Sequence, residues 1–367
     1  MGRLSRAETQ RRNRARVLAA ARAEFAERGF RDAKIDGIAE RAELTRGAVY
    51  SNFPGKRALY FSVLAEDAER ASGGSPAVQP GRTAREALGA FARAWVTRLP
   101  LVADPGHGAA RLGTELLPEI LADELTRLPF AQLLKLDAIL LGLALERSRP
   151  APRSGRMVRV AETALTTLQG ASRLAAAAPG FVEPFDVVRA CERLADLDLG
   201  DRWPPPHTGH IRARSRPADG PWSPPPAVDA VRGEPADLVA DGVVAILGLH
   251  RLAAVEEAVR AVPPETGVTA VLVTGAPGEL APLARLVVAE VCGGLREAFP
   301  PAAWPRLRVV HDPSGTVAAA AGVTAISDAT ETAVRVAGGR ITARAEGYGA
   351  CHAVASADRR ADVPRTR

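Results

Sequence analysis

Apolar residues recur at helical spacing through the first half of the chain and gather into short, strand-like runs in the second. Leu18, Ala21 and Phe25 share one face of a helix running to Arg28, with Gly29 as its C-terminal cap and Phe30 packing back. Ile35, Ile38, Ala39 and Ala42 repeat at the same period, and Leu44 follows a tight turn. Thr45 is placed to cap a second short helix, on which Val49 and Phe53 face inward together before Pro54-Gly55 stops it. Lys56 opens a fourth helix striped by Tyr60, Leu64 and Ala68, fading at residues 72–76. From Thr83 to Leu199 the period stays helical. Leu88, Phe91, Ala92 and Trp95 make one stripe, and residues 130–145 are apolar almost all round, as in the middle of a bundle. Two further helices, Met157–Ala178 and Phe185–Leu197, are split by Pro179-Gly180.

Residues 200–236 break the pattern. Trp203-Pro-Pro-Pro206 and Trp222-Ser-Pro-Pro-Pro226 predict a semi-rigid linker rather than a helix or an inner strand. Beyond it, Val243–Leu247 reads as a buried parallel strand and Leu252–Val262 as a helix. Thr269–Val273, a helix over Leu280–Phe299 and Leu307–His311 continue the alternation. A short helix at Val317–Ala321, a hairpin of Ala333–Val336 and Ile341–Ala345 turning at Gly338-Gly339, and a last helix from Tyr348 complete an α/β order. The domain boundaries predicted are therefore a basic arm (1–13), a helix-turn-helix unit (14–74), a helical bundle (80–199), the linker (200–236), an α/β domain (237–358) and a basic tail (359–367).

Charge refines this. The 367-residue chain carries +6, unevenly spread. Residues 1–16 hold six arginines against Glu8, and the last nine hold four against Asp362, so the body between is at −2. Basic ends on a near-neutral body suit a flexible arm added to a specific DNA reader, or a solvated tail. Cys191, Cys292 and Cys351 lie far apart with no metal-binding spacing, and no cofactor is expected. No apolar run approaches the roughly 20 residues of a membrane span, and the N-terminus lacks the apolar core of a signal peptide. The expectation is a cytoplasmic protein.

Arg16 to Leu64 resembles the DNA-binding domain of the TetR family of bacterial repressors. The words that carry the likeness are Val17–Ala21, Phe25–Phe30, Ile38-Ala39, Leu44–Tyr50, Asn52-Phe53 and Lys56–Leu59. Two positions depart: Lys34 stands where a capping Thr or Ser is usual, and Glu43 where Gly makes the turn, which predicts φ > 0 at Glu43. The resemblance implies a homodimer on a palindromic operator, with Lys34, Thr45, Arg46, Gly47, Ala48, Tyr50, Ser51, Asn52 and Lys56 at the DNA. Arg46 and Asn52 are suited to base edges, Tyr50 and Lys56 to phosphates. It further implies dimerisation through the helices of Met157–Leu197. There Ala161, Ala164, Gly170 and Ala171 either allow close approach of a second subunit or fill the chain's own core. It implies, too, a bundle pocket for a small hydrophobic effector. Phe91, Trp95, Leu112, Leu133 and Leu136 are candidate lining, each also readable as plain core, and His107, Arg111 and Glu115 are candidate polar anchors.

The C-terminal order is similar to a thioredoxin or peroxiredoxin fold, on His311–Gly315, Ala321–Val323 and Gly338–Ile341. The reactive cysteine of that superfamily follows the first strand, where this chain has Gly248-Leu249-His250-Arg251-Leu252. Thiol chemistry needs a thiolate nucleophile, so the domain reads as the fold without the activity. The readings that remain are a ligand-responsive transcriptional regulator, a thiol-redox enzyme with a regulatory helical part, and a C-terminal protein-interaction module.

Overall fold

The computed structural model describes residues 5–71, 79–99, 113, 115–149, 155–203 and 213–357. Leu112, His107, Arg111, the helix break at 72–76 and the basic tail lie outside them. Nine helices come first among the described residues: α1 (Arg6–Asp32), α2 (Ile35–Arg41), α3 (Arg46–Tyr50), α4 (Lys56–Ala71), α5 (Ala84–Val96), α6 (Leu116–Leu121), α7 (Glu124–Arg147), α8 (Val158–Ala177) and α9 (Pro184–Leu194). The α/β unit follows as β1 (Arg216–Pro221), β2 (Val228–Asp229), β3 (Glu234–Pro235), β4 (Gly242–Gly248), α10 (Val255–Ala261), β5 (Gly267–Val273), α11 (Pro277–Ala298), β6 (Leu307–His311), α12 (Thr316–Ala320), β7 (Glu331–Ala337), β8 (Arg340–Glu346) and α13 (Ala350–Ala355).

The six-stranded sheet runs β1-β8-β7-β4-β5-β6. β4, β5 and β6 are parallel, β7 is antiparallel to β4, and β8 returns antiparallel to β7. Gly338 and Gly339, with φ of +56° and +71°, make the two-residue turn between β7 and β8 that only φ > 0 allows. Every residue of β4 is buried, because α10, α11 and α13 cover one face of the sheet and Trp222, Leu238 and the short α12 cover the other. Ala345, Ala333, Ala245 and Ala270 lie side by side across β8, β7, β4 and β5, a row of small side chains on the face toward α10, α11 and α13. Asp312 ends β6 and caps α12, accepting from Thr316 N and Ala318 N at 2.9 Å each.

Four expectations need correction. The expected arm is helical from Arg6. Ser5 and Glu8 form a reciprocal capping box, and the arginine- and alanine-rich run has high helix propensity without needing an apolar stripe. Of the expected linker, the described residues 213–236 are part of the α/β unit: β1 pairs along β8 at the sheet edge, where its prolines are tolerated. Trp222 is buried, its indole N–H donating to Leu238 O at 2.6 Å. The α/β unit is also not set apart from the bundle. One face of its sheet and α11 share a continuous apolar core with α4, α5 and α7. Finally, α7 has the length and mean hydropathy (1.7) of a membrane span, yet 67% of that window is buried within the protein and it carries Asp137. It is the bundle's central helix.

Candidate nucleic-acid interface

The α2–α3 hairpin is fixed from its inner side. Ile38, Val49 and Phe53 are buried, and Leu44 packs part-buried beside them. The turn runs through Glu43 at φ +50°, a left-handed conformation outside glycine, and Arg16 holds that carboxylate at 2.7 Å. Lys34 is the N-cap of α2 and makes no side-chain cap, whereas Thr45 accepts from Ala48 N at 3.2 Å and starts α3.

Thr45, Arg46, Gly47, Tyr50 and Ser51 form the exposed face of α3, and Lys34 is exposed on the neighbouring helix start. Arg46 lies 3.4 Å from Asp36, its guanidinium 5.7 Å above the Tyr50 ring, so it is pre-set and outward-facing. A Cβ at Gly47 would meet nothing closer than Thr45 Oγ1 at 3.9 Å, which leaves that face open to close approach. Ala48 is part-buried beneath it.

Two expected contact residues are spent inside the protein. Asn52 folds its amide back, donating to Ala48 O at 2.8 Å. The Lys56 ammonium donates to Phe30 O, Arg31 O and Ala33 O at 2.7, 3.1 and 3.1 Å and sits 4.5 Å over the Phe30 ring. It closes the carbonyl end of α1. Sequence reasoning missed Arg14, which holds the end of the hairpin by donating to Asn52 O at 3.0 Å and stacking on Phe53 at 4.2 Å. Its place at the inner end of a basic run concealed it. Glu115, expected as a pocket anchor, instead accepts from Phe30 N at 2.5 Å, tying the bundle to the same carbonyl end.

Of the candidate pocket residues, Phe91, Leu133 and Leu136 are fully buried. Phe91 is pressed against α11 at Gly294, where a Cβ would fall 2.6 Å from its ring. Trp95 is part-buried and donates to Ser172 Oγ at 2.9 Å. Ala161, Ala164 and Ala171 face the chain's own core, which decides against their lining a subunit interface; Gly170 faces open space.

After β4, where a reactive thiol was sought, Arg251 binds Glu331 through both Nε (3.0 Å) and Nη2 (2.6 Å) and lies 4.5 Å over the Tyr348 ring. The three cysteines are free and buried. Burial pushes the Cys191 thiol up to about 12, and pushes Cys292 and Cys351 up as well.

A tight-turned helix pair with one locked face and one open polar face defines a helix-turn-helix reader of nucleic acid, carried on a helical bundle. Residues 17–63 match the model of the family described as bacterial regulatory proteins, tetR family, so this segment is a TetR-type N-terminal domain. Three solved structures are similar over about half of the chain. One is a TetR transcriptional regulator from Rhodococcus sp. RHA1, at 18% identity, covering 52% of this chain and 95% of that one, with a TM-score of 0.33. Another is a transcriptional regulator from the same organism at 22%, covering 52% and 99%, TM-score 0.30. The third is FadR from Bacillus subtilis in complex with stearoyl-CoA, at 18%, covering 49% and 96%, TM-score 0.30. No curated protein matches the chain.

Proposed function

We propose that this protein is a DNA-binding transcriptional regulator that reads a palindromic operator as a homodimer and acts in the cytoplasm, where that DNA is. One observation carries the reading: the face formed by Thr45, Arg46, Gly47, Tyr50 and Ser51 is open, while Ile38, Ala39, Val49 and Phe53 bury the opposite side of the hairpin. Arg46 is the base-reading residue, with Tyr50, Lys34 and Ser51 toward phosphate. In the dimer the two reading helices enter major grooves about 34–36 Å apart. The dimer surface lies on α8–α9. Leu174, Phe181 and Phe185 are exposed there, 44%, 72% and 74%. Thr163, Thr166 and Thr167 turn their hydroxyls back onto Arg159 O, Glu162 O and Thr163 O, which leaves methyl groups outward. Such a patch suits a partner's apolar surface.

A repressor released by a small hydrophobic effector is the form of regulation this reading carries. An effector that reached Phe91, Leu133 and Leu136 would have to displace α11. The α/β unit reads as a thioredoxin- or peroxiredoxin-like fold, supported by three parallel strands closed by an antiparallel pair in the order described. The Arg251–Glu331 pair after β4 and the buried thiols favour a role without thiol catalysis.

The test selects genomic fragments with the purified protein and measures Arg46→Ala on the selected site. We expect a loss of roughly 1–3 kcal/mol there and little change on random DNA. Equal losses on both would remove Arg46 from the base-reading role, and failure to enrich any fragment would remove the DNA-binding function.

A further inference from the structure

We infer that the α/β unit is the regulatory input of this protein and that α11 is its transmitter, seated against Phe91 of the bundle and packed along α4, the helix that carries the DNA-reading hairpin. The inference rests on the DNA-binding reading and adds to it where the signal enters.

The first observation is the burial of α4. Ala58 to Ala65, eight consecutive residues including Ser62, are all buried. A helix lying on one neighbour shows an apolar stripe; more than two turns buried all round require neighbours on opposite sides. One is α1, where Tyr60 stacks with Phe25 and Phe30 at 5.7 and 4.7 Å. The other is α11.

The second is the set of charged clamps along the junction. Arg57, in the first turn of α4, binds Glu279 in the first turn of α11 and Asp123 at the N-cap of α7. One guanidinium thus joins the reading domain to both the bundle and the α/β unit. At the other end of α4, Arg285 grips Glu69 through two bonds of 2.8 and 2.6 Å. Arg98 of the segment after α5 binds Glu297 at 2.8 Å.

The third is proximity to the reader itself. Gly278 opens α11 against Pro54, the residue that ends the recognition hairpin, where a Cβ would fall 3.0 Å from the proline ring. α11 also leaves the sheet directly after β5, so a shift of the strand ends moves Glu279 and Gly278 with it. A packed interface of this kind moves between discrete arrangements rather than deforming smoothly. Coupling through it is reciprocal: whatever the α/β unit binds alters operator affinity, and operator binding alters the α/β unit.

The experiment uses the full-length protein and the operator fragment it selects. Glu69→Arg and Arg285→Glu each place like charges across the α4–α11 junction, and the double exchange restores attraction. We expect each single variant to change the operator-to-random affinity ratio at least threefold and the double variant to return it to within twofold of the parent. Hydrogen exchange with and without operator should show altered protection over Pro277–Ala298. An unchanged ratio in both single variants, together with exchange in α11 indifferent to operator, overturns the inference. Because every arm begins from a protein that binds its fragment, that result leaves the DNA-binding reading standing.

Discussion

Asp137→Asn should stabilise the protein at pH 8 and leave it unchanged at pH 4. Asp137 sits in the middle of α7, 1% exposed, and its Oδ1 has no hydrogen-bond partner among the described residues. The groups that face it from α11 are Glu290 and the Cys292 thiol. Burial, and then Glu290, raise its pKa well above the usual carboxylate range. A carboxyl whose pKa is raised on folding contributes full stability below its unfolded value, near 4, and loses it as pH rises through the folded value. Ionising it inside the fold therefore costs more with every step of pH through that interval, at about 1.4 kcal/mol per pH unit. Asparagine keeps the shape and cannot ionise. Urea midpoints of both proteins at pH 4, 6 and 8 should coincide at pH 4 and separate by roughly 1–3 kcal/mol in favour of the variant at pH 8. A variant no more stable than the parent at pH 8, or one with the same pH slope, would refute the reasoning. Glu290, raised to about 7 by burial against the opposing pull of Arg98, supplies a second, smaller slope between pH 4.5 and 7 that Glu290→Gln should remove.

Lys56→Ala orphans three carbonyls and should cost about 1–3 kcal/mol in thermal unfolding. Because the ammonium is engaged within the protein, the variant's salt dependence of DNA binding should keep the parental slope. The three cysteines should resist iodoacetamide in the native protein and react together in urea; fast native labelling of any one would contradict its burial and raised pKa. A chain cut at Gly200 loses α11 and bares the apolar faces of α4, α5 and α7. It should bind a hydrophobic dye and aggregate in sedimentation, and a well-behaved dimer would show that the core is not shared.

Period carries the elements well. Leu307–His311 is β6 to the residue, and Gly338-Gly339 makes the hairpin turn because two successive φ > 0 positions admit little else. The left-handed Glu43 was legible for the same steric reason. Proline density points to a linker at 200–236, whereas an edge strand needs donors on one side only; β1 spends its paired side on β8 and leaves Pro217 and Pro221 harmless. Residues 6–13 differ in the opposite sense, since a mostly exposed helix has no apolar stripe to detect and announces itself only by Ser5 and Glu8.

The candidate site was legible as a face but not as a set of contacts. Spacing along α3 places Arg46, Gly47 and Tyr50 outward, yet it cannot say that a donor on that helix is already used. Asn52 and Lys56 have the side chains of DNA contacts, and their amide and ammonium are consumed by carbonyls 4 and 23–26 residues away. The same limit hid the α4–α11 junction. Tyr60, Leu64 and Ala68 already supply the stripe that α1 needs, so the burial of the other side of α4 leaves no periodic mark. What the sequence does carry is its charge: Arg57, Glu69, Glu279 and Arg285 are ordinary surface residues when each helix is read alone. Only their pairing across more than 200 residues makes them a joint. Surface ion pairs of this sort add little to stability singly, so their concentration along one helix contact is better explained by a need to fix its register than by a need to hold it together.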